Sequence, residues 1–284
     1  QNLSRFIENS DISQINRLAA GQSLKLGDDA FRCLQLSTEI SNQTNGAFDI
    51  TVGSLLECLL AEDKTRPVEA PGRTWTALRK PPAQDLDSAR SRTGMGLLKL
   101  DEVSHTVTLP TSGVQIDLGG IGKGYAVDRT AELLADWSID TALICAGQSS
   151  VLALGAPPQT KGWPVKLTDP GNNSRILARL NLRDQALSGS GLQKGPHIID
   201  PRTAMPVEGK RAAWSSAPDA ATADALSTAF MVMTPDKIED YCRRRPDTQA
   251  VIILQEESLE TQQDRVLHFG LWETGNITES GSFS

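Results

Sequence analysis

The chain has 284 residues, with 28 Lys and Arg against 35 Asp and Glu and a formal net charge of −7. That length admits one large domain or two small ones, and it buries enough surface to fold without a metal or disulfide staple. The acidic balance argues against nucleic acid as a partner, because a phosphate backbone needs a basic face. Cys33, Cys58, Cys145 and Cys242 are scattered with no C-x-x-C spacing. A zinc centre is therefore not expected, while the spacing leaves disulfide pairing open. Cys33 and Cys145 sit among apolar neighbours and read as small core residues. No run reaches the roughly 18 to 20 apolar residues that span a bilayer.

In chain order, Ser10-Asp11 with Ile12, Ile15 and Leu18 predicts a capped helix ending near Gly21. Asp28-Asp29 opens a longer helix marked by Phe31, Leu34 and Ile40 and stopped by Asn45-Gly46. Asp49 and Thr51 lie in the turn that starts a helix over 52–60. Residues 62–95, rich in Pro, Arg and Asp, read as a variable surface insertion. Short strands are expected at 97–100, 106–109 and 114–118, the first two joined by a polar turn at Asp101 to Ser104. An amphipathic helix follows over 125–137, then strands at 141–145, 150–154, 165–167, 178–182, 186–188 and 197–199. Residues 220–233 form a strong helix with Leu226, Ala229, Phe230 and Met233 on one stripe. Arg243-Arg244-Arg245 before Pro246 reads as a solvated helix end, 251–254 as a late strand, and 274–284 as a flexible tail. Helices and mostly antiparallel strands without regular alternation predict an α+β fold.

The stretch 114–128, VQIDLGGIGKGYAVD, gathers the carboxylate of Asp117, four glycines and Lys123 at a strand–turn–helix junction. Glycines let a ligand approach the main chain, and the helix start offers N–H groups that suit phosphate. The spacing fits neither the dinucleotide fingerprint nor the Walker pattern, and a tight connection alone would also explain it. Asp224 and Thr228 are four apart on one helix, so a carboxylate and a hydroxyl share a face. Two hard oxygens so placed suit Mg²⁺; an acidic residue near a helix start beside an exposed threonine is the other reading. His197, beside Pro196 at the mouth of a strand, is either structural or a proton acceptor near neutral pH. Phe48 and Ile198 read as core residues and Asp49 as a cap. Asp200-Pro201-Arg202-Thr203 reads as a bracing turn.

Five segments stand in a recognisable order: Asn45-Gly46-Ala47-Phe48-Asp49-Ile50-Thr51, the junction from Asp117 to Asp128, Ser190-Gly191, His197-Ile198-Ile199-Asp200-Pro201-Arg202-Thr203, and Ala223-Asp224-Ala225-Leu226-Ser227-Thr228. Together they resemble the FAD:protein FMN transferase, or ApbE-like, family, flavin transferases once described as thiamine-biosynthesis lipoproteins. The resemblance runs from about residue 3 to about residue 255. It implies one large α+β domain over 1–284 with two lobes, mostly antiparallel sheets flanked by helices, and the flavin site between the lobes.

By this resemblance Ala47, Phe48, Asp49, Asp117, Lys123 and Ile198 contact FAD. The Gly120 carbonyl, Asp224 and Thr228 hold Mg²⁺, and His197 is the catalytic base. The implied reaction moves the FMN part of FAD to a Thr or Ser hydroxyl of an acceptor protein and releases AMP. The acceptors would be subunits of membrane redox complexes or flavin-carrying reductases. A Mg²⁺-dependent FAD pyrophosphatase and a non-catalytic FAD-binding protein are the alternatives. The family's first strand with its Met-Gly-Thr motif, its export signal and its lipid-anchor cysteine are not within the sequence, which opens at Gln1 without Met. The resemblance implies the periplasmic face of the inner membrane, with a lipid anchor in the full-length form. Three departures stand out: Ala146-Gly147-Gln148-Ser149 lacks the family's acidic residue, Ala204 replaces a glycine, and Leu192 replaces an aromatic residue.

Overall fold

A computed structural model describes residues 2–62, 75–255 and 265–272. It divides into two compact units: 1–122 with 194–208, and 123–193 with 209–284. The class is α+β, as expected, and the strand ladders among the described residues are antiparallel. No helix among those residues is long and apolar enough to cross a membrane.

The first unit opens with α1 (Asp11–Ile15), where the Ser10 hydroxyl accepts from the Ser13 amide at 3.0 Å. This helix stops well short of Gly21. Asn16 ends it, because its side chain accepts from the Ile116 amide at 2.7 Å and donates to the Ile116 carbonyl at 3.1 Å. A three-stranded sheet is ordered β1 (Ser23–Lys25), β5 (Thr106–Thr108), β4 (Lys99–Asp101). The Asp101 side chain accepts from the Val103 and Ser104 amides and closes the β4–β5 turn. Helix α2 (Asp28–Gln43) buries Phe31, Leu34 and Ile40, and the left-handed Asn45 and Gly46 end it. Helix α3 (Gly53–Leu59) begins where the Gly53 amide donates to the Gln115 carbonyl at 3.0 Å. Any Cβ at position 53 would stand 2.4 Å from that oxygen, so the close approach demands glycine.

Residues 114–118 are not a sheet strand. Val114 and Ile116 are fully buried, yet only one bridge, Gln115 to Val52, forms there. Asn16, Ile50 and Gly53 take the backbone groups that a neighbouring strand would have used. Part of the predicted insertion is ordered structure. Strand β2 (Leu60–Glu62) pairs with β3 (Trp75–Leu78), and α4 (Ala83–Arg90) buries Ala89 against Leu55, Leu56 and Leu59. The rest of that insertion, 63–74, and the predicted tail lie outside the described residues.

The second unit is built on helix α5 (Gly122–Asp136) and a six-stranded sheet. The helix starts three residues earlier than predicted, so Lys123 and Gly124 lie in its first turn. Strands β6 (Ala142–Ala146) and β7 (Ser150–Leu154) form a hairpin at one sheet edge. Next comes the long hairpin β8 (Trp163–Asp169) with β9 (Asn172–Leu182), and then β10 (Gln185–Gly191) joins β7. The chain returns to the first unit for a two-residue ladder, β11 (Ile199–Asp200) with β12 (Met205–Pro206). It then completes the second unit with β13 (Lys210–Ala217), α6 (Ala220–Val232), α7 (Pro235–Arg244), β14 (Gln249–Leu254) and β15 (Arg265–Phe269).

The sheet order is β15-β14-β13-β10-β7-β6. Alternate residues serve opposite faces. Ala153 and Leu187 pack with Leu167, Leu180 and Leu182 of the β8–β9 hairpin. Their neighbours Leu152 and Ala186 pack with Val127 of α5 and Ala220 and Ala223 of α6. Cys33 is buried as expected, but Cys145 is exposed, because it lies on the edge strand β6. All four cysteines are free thiols. Arg243 and Arg244 at the end of α7 are solvated as expected, both pairing with Asp240, whereas Arg245 is half-buried over the Tyr241 ring.

Candidate active site

In the first unit, Ala47, Phe48 and Asp49 follow the end of α2 and are buried. The Phe48 amide donates to the Thr44 hydroxyl, which itself caps back onto the Ile40 carbonyl. Asp49 Oδ1 accepts from the Thr51 amide at 2.7 Å and the Thr51 hydroxyl at 2.6 Å, and Oδ2 accepts from the Met95 amide at 3.1 Å. Burial pushes the Asp49 carboxyl above its ordinary range, against these three bonds. Asp49 therefore ties its own loop to residues 94–95. It borders a cavity of about 430 Å³, with Asn42, Asn45, Gly46, Met95 and Arg202 also on its wall.

Asp117 turns back on its own glycine loop. Its Oδ1 accepts from the Gly119 amide at 2.7 Å, and a Cβ at position 119 would sit 2.8 Å from that oxygen. Its Oδ2 accepts from Arg5 at 2.9 Å, and the same guanidinium reaches Glu57 at 2.5 Å. Arg5 belongs to no motif, and nothing in the sequence points to it. Gly120 lies in the turn ahead of α5 and is half-buried.

His197 is half-buried, and its Nδ1 lies 2.8 Å from the Gly195 carbonyl. A carbonyl only accepts, so the neutral ring carries its proton on Nδ1 and its lone pair on Nε2. Ile198 is buried and its carbonyl accepts from the Val207 amide. Behind them, Asp200 accepts from the Arg202 amide, Nε and Nη2, each at 2.9 Å. Burial pushes Asp200 up, but the Arg202 bonds and charge outweigh it and leave the carboxyl below its usual range. The predicted bracing turn is thus an ion-paired one, and Arg202 also faces the cavity beside Asp49.

In the second unit, three predicted residues come together. Asp224 is 1% exposed, and Lys123 Nζ lies 3.0 and 3.2 Å from its two carboxylate oxygens. The Gly124 amide donates to Oδ2 at 3.1 Å. One turn along α6, the Thr228 hydroxyl lies 3.1 Å from the Ser190 hydroxyl, which is also 2.8 Å from Ser227. Thr228 is therefore half-buried rather than simply exposed.

The position of α6 is fixed from both ends. Asp219 caps the Thr222 amide at 2.7 Å, and Asp128 of α5 accepts from the Ala220 and Ala221 amides at 2.7 and 2.8 Å. Burial pushes the Asp128 carboxyl up to about 6, against those two bonds. At the other end, Lys210 Nζ donates to the Phe230, Met231 and Met233 carbonyls. Acids at the N-terminus and a cation at the C-terminus both complement the helix dipole. Sequence reasoning missed Lys210 and gave no role to Asp128 or Ser190, although both lie in the family segments. Asp128 was legible as the last residue of the junction motif, four positions beyond Gly124.

A metal at Asp224 would meet oxygen donors only. Among the described residues there is no cluster of three or more His, Cys, Asp or Glu that could hold one. Asp224, Thr228 and Ser190 instead supply oxygen only, which suits a hard cation such as Mg²⁺. The buried Asp224 carboxylate is itself a site for positive charge, occupied here by the Lys123 ammonium. The residues fit.

The α+β fold thus sets the junction lysine of α5 against a buried aspartate on the capped helix α6. The chain belongs to the ApbE family, whose model matches residues 1–253. It is 26% identical over 272 residues to the FAD:protein FMN transferase of Klebsiella pneumoniae strain 342, covering 91% of this chain and 75% of that one. The FAD:protein FMN transferase of Treponema pallidum is also 26% identical, over 90% and 74%. Among solved structures, the ApbE protein of Thermotoga maritima matches with a TM-score of 0.78 at 27% identity, over 94% of this chain and 84% of that one. The flavin transferase ApbE of Vibrio cholerae shares the fold with a TM-score of 0.78 at 20% identity, over 94% and 83%.

Proposed function

We propose that this chain transfers the FMN moiety of FAD to a Thr or Ser hydroxyl of an acceptor protein. The hydroxyl oxygen attacks the phosphorus on the FMN side of the diphosphate. The bond from that phosphorus to the bridging oxygen breaks, and AMP leaves with that oxygen. The hydroxyl proton goes to His197 Nε2, and the products are a phosphoester-linked flavin and AMP. The observation that supports this reading is the Lys123–Asp224–Gly124 set, formed from two family motifs 100 residues apart in sequence.

Each residue has a task in the proposal. The Gly195 carbonyl holds the His197 proton on Nδ1 and so keeps Nε2 basic. Ala47, Phe48, Asp49, Asp117 and Ile198 would shape the flavin-nucleotide site, and Lys123 would meet its diphosphate as a point charge. Asp224 and Thr228 would hold Mg²⁺, with the Gly120 carbonyl as the further ligand that the resemblance implies. When bound, that ion neutralises charge developing on the diphosphate. Phosphoryl transfer asks chiefly for positioning and electrostatics, which suits so few reactive side chains. The acceptors would be membrane redox subunits or flavin-carrying reductases at the periplasmic face of the inner membrane.

The test is incubation with FAD and Mg²⁺, with and without an acceptor peptide bearing a flavinylation sequence. Covalent fluorescence on the acceptor together with AMP release is the expected result. AMP release without acceptor would make the protein a pyrophosphatase, and intact FAD would make it a binding protein. Asp224→Ala should abolish turnover.

A further inference from the structure

Asp224 carries its charge inside the protein, where an unpaired carboxylate is strongly disfavoured. Its counter-charge is the Lys123 ammonium, placed across both carboxylate oxygens. The two partners differ in freedom. Asp224 is locked in the middle of a helix capped at both ends. The Lys123 side chain is 41% exposed and hangs on a flexible four-carbon stem from the first turn of α5. The Gly124 amide stays on Oδ2 wherever the lysine head goes, because it is backbone.

A divalent ion on Asp224 and an ammonium on the same two oxygens exclude one another by charge and by space. The geometry points to Lys123 as the resident counter-ion of Asp224, displaced when a divalent cation binds, so that metal loading and release of the lysine head are one exchange. This rests on the metal assignment in the proposed function and adds a second role for Lys123. Before loading, the ammonium keeps the buried carboxylate paired and α5 tied to α6. After loading, the same ammonium is released toward solvent, where a diphosphate anion can receive it. No proton has to leave the lysine, since one cation replaces another.

The experiment uses the full chain and Mn²⁺, whose free concentration is read directly by electron paramagnetic resonance. Wild type, Lys123→Met, Lys123→Arg and Asp224→Asn are titrated side by side. Wild type should bind, Asp224→Asn should lose the site, and Lys123→Met should bind about tenfold more tightly because its competitor is gone. Lys123→Arg should bind like wild type. If Lys123→Met binds no more tightly than wild type while Asp224→Asn loses the site, the exchange is wrong and the metal assignment stands. If Asp224→Asn binds like wild type, both fall. A measurement on the unmutated protein covers a Lys123→Met chain that fails to fold. Acetylation of Lys123 by an amine reagent, followed by peptide mass spectrometry, should speed up severalfold at saturating Mn²⁺ while other lysines keep their rates. An unchanged Lys123 rate would overturn the proposal.

Discussion

Gly124 is the tightest point between α5 and α6, and replacing it by alanine should cost about 4 kcal/mol. A Cβ there would stand 2.0 Å from the Ala220 carbonyl oxygen and 2.7 Å from Ala221 Cα. Both obstacles are backbone, so no rotamer change relieves them. Bringing the first contact to 3.0 Å, the lower limit for real Cβ atoms, parts the helices by about 1 Å. That movement stretches three bonds that start at 3.1, 2.7 and 2.8 Å: Gly124 to Asp224, and Ala220 and Ala221 to Asp128. All three would pass the roughly 3.5 Å limit of a useful hydrogen bond. Bonds to charged groups contribute about 1.5–3 kcal/mol each, while alanine returns about 1 kcal/mol of helix propensity. Gly122 is the control, two positions earlier in α5, where a Cβ would meet only Leu118 Cβ at an ordinary 3.6 Å. Urea unfolding should show Gly122→Ala within about 1 kcal/mol of wild type and Gly124→Ala far below it. Equal stability of the two variants would refute the packing argument.

Burial pushes the Lys210 amine down from 10.5 to about 8. The folded state thus releases its proton before the unfolded state does, and stability should rise by up to about 3 kcal/mol between pH 8 and pH 10.5. Unfolding at both ends of that window should show the rise in wild type and its loss in Lys210→Met. Ser150, Ser188 and Ser215 lie opposite one another on β7, β10 and β13, buried and without a hydrogen-bond partner on their hydroxyls. Ser188→Ala should therefore raise stability by about 1 kcal/mol, and a loss of that size in a melting experiment would contradict it. Ala204 is buried with φ +55°. In Ala204→Gly, relief of about 1 kcal/mol of left-handed strain is offset by one lost buried methyl and a freer unfolded chain, so unfolding should shift by less than about 1 kcal/mol.

The sequence reading worked best where a pattern is local. Helix α2 shows an apolar stripe bounded by paired aspartates and a left-handed Asn-Gly, and the structure follows it to within two residues. It was weakest where a distant group decides. Residues 114–118 are as apolar as any strand, but the side chain of Asn16 and the carbonyl of Ile50 claim their backbone. The same Asn16 cuts α1 short. Cys145 looked like core because its neighbours are apolar, and only the sheet order shows that β6 is an edge. In the site, motif spacing singled out Lys123, Asp224 and Thr228, yet could not say that the first two bond each other. Arg5 was invisible, because one guanidinium carries no periodic signal, and Ser190 stood out only as part of the Ser190-Gly191 segment, with no role attached to its hydroxyl.

Two of the departures from the family pattern, at positions 148 and 204, fall where the chain tolerates them. Gln148 sits exposed in the β6–β7 turn next to the left-handed Gly147, where the backbone does not depend on a carboxylate. Ala204 takes a left-handed angle that a glycine would adopt without strain, and its methyl joins the cluster around Leu55 and Ile199. The α5–α6 pair allows no such latitude. Helix α6 buries Ala220, Ala221, Ala223, Leu226, Ala229 and Phe230, leaving almost no solvent face along its length. An aspartate in such a helix would be destabilising by several kcal/mol if it stood alone. It persists because a lysine and a glycine amide from one short motif reach it, and because Asp128 of the same motif fixes the helix that carries it. One fifteen-residue stretch, 114–128, thus supplies the charge partner, the close approach and the cap for a helix about a hundred residues further along the chain.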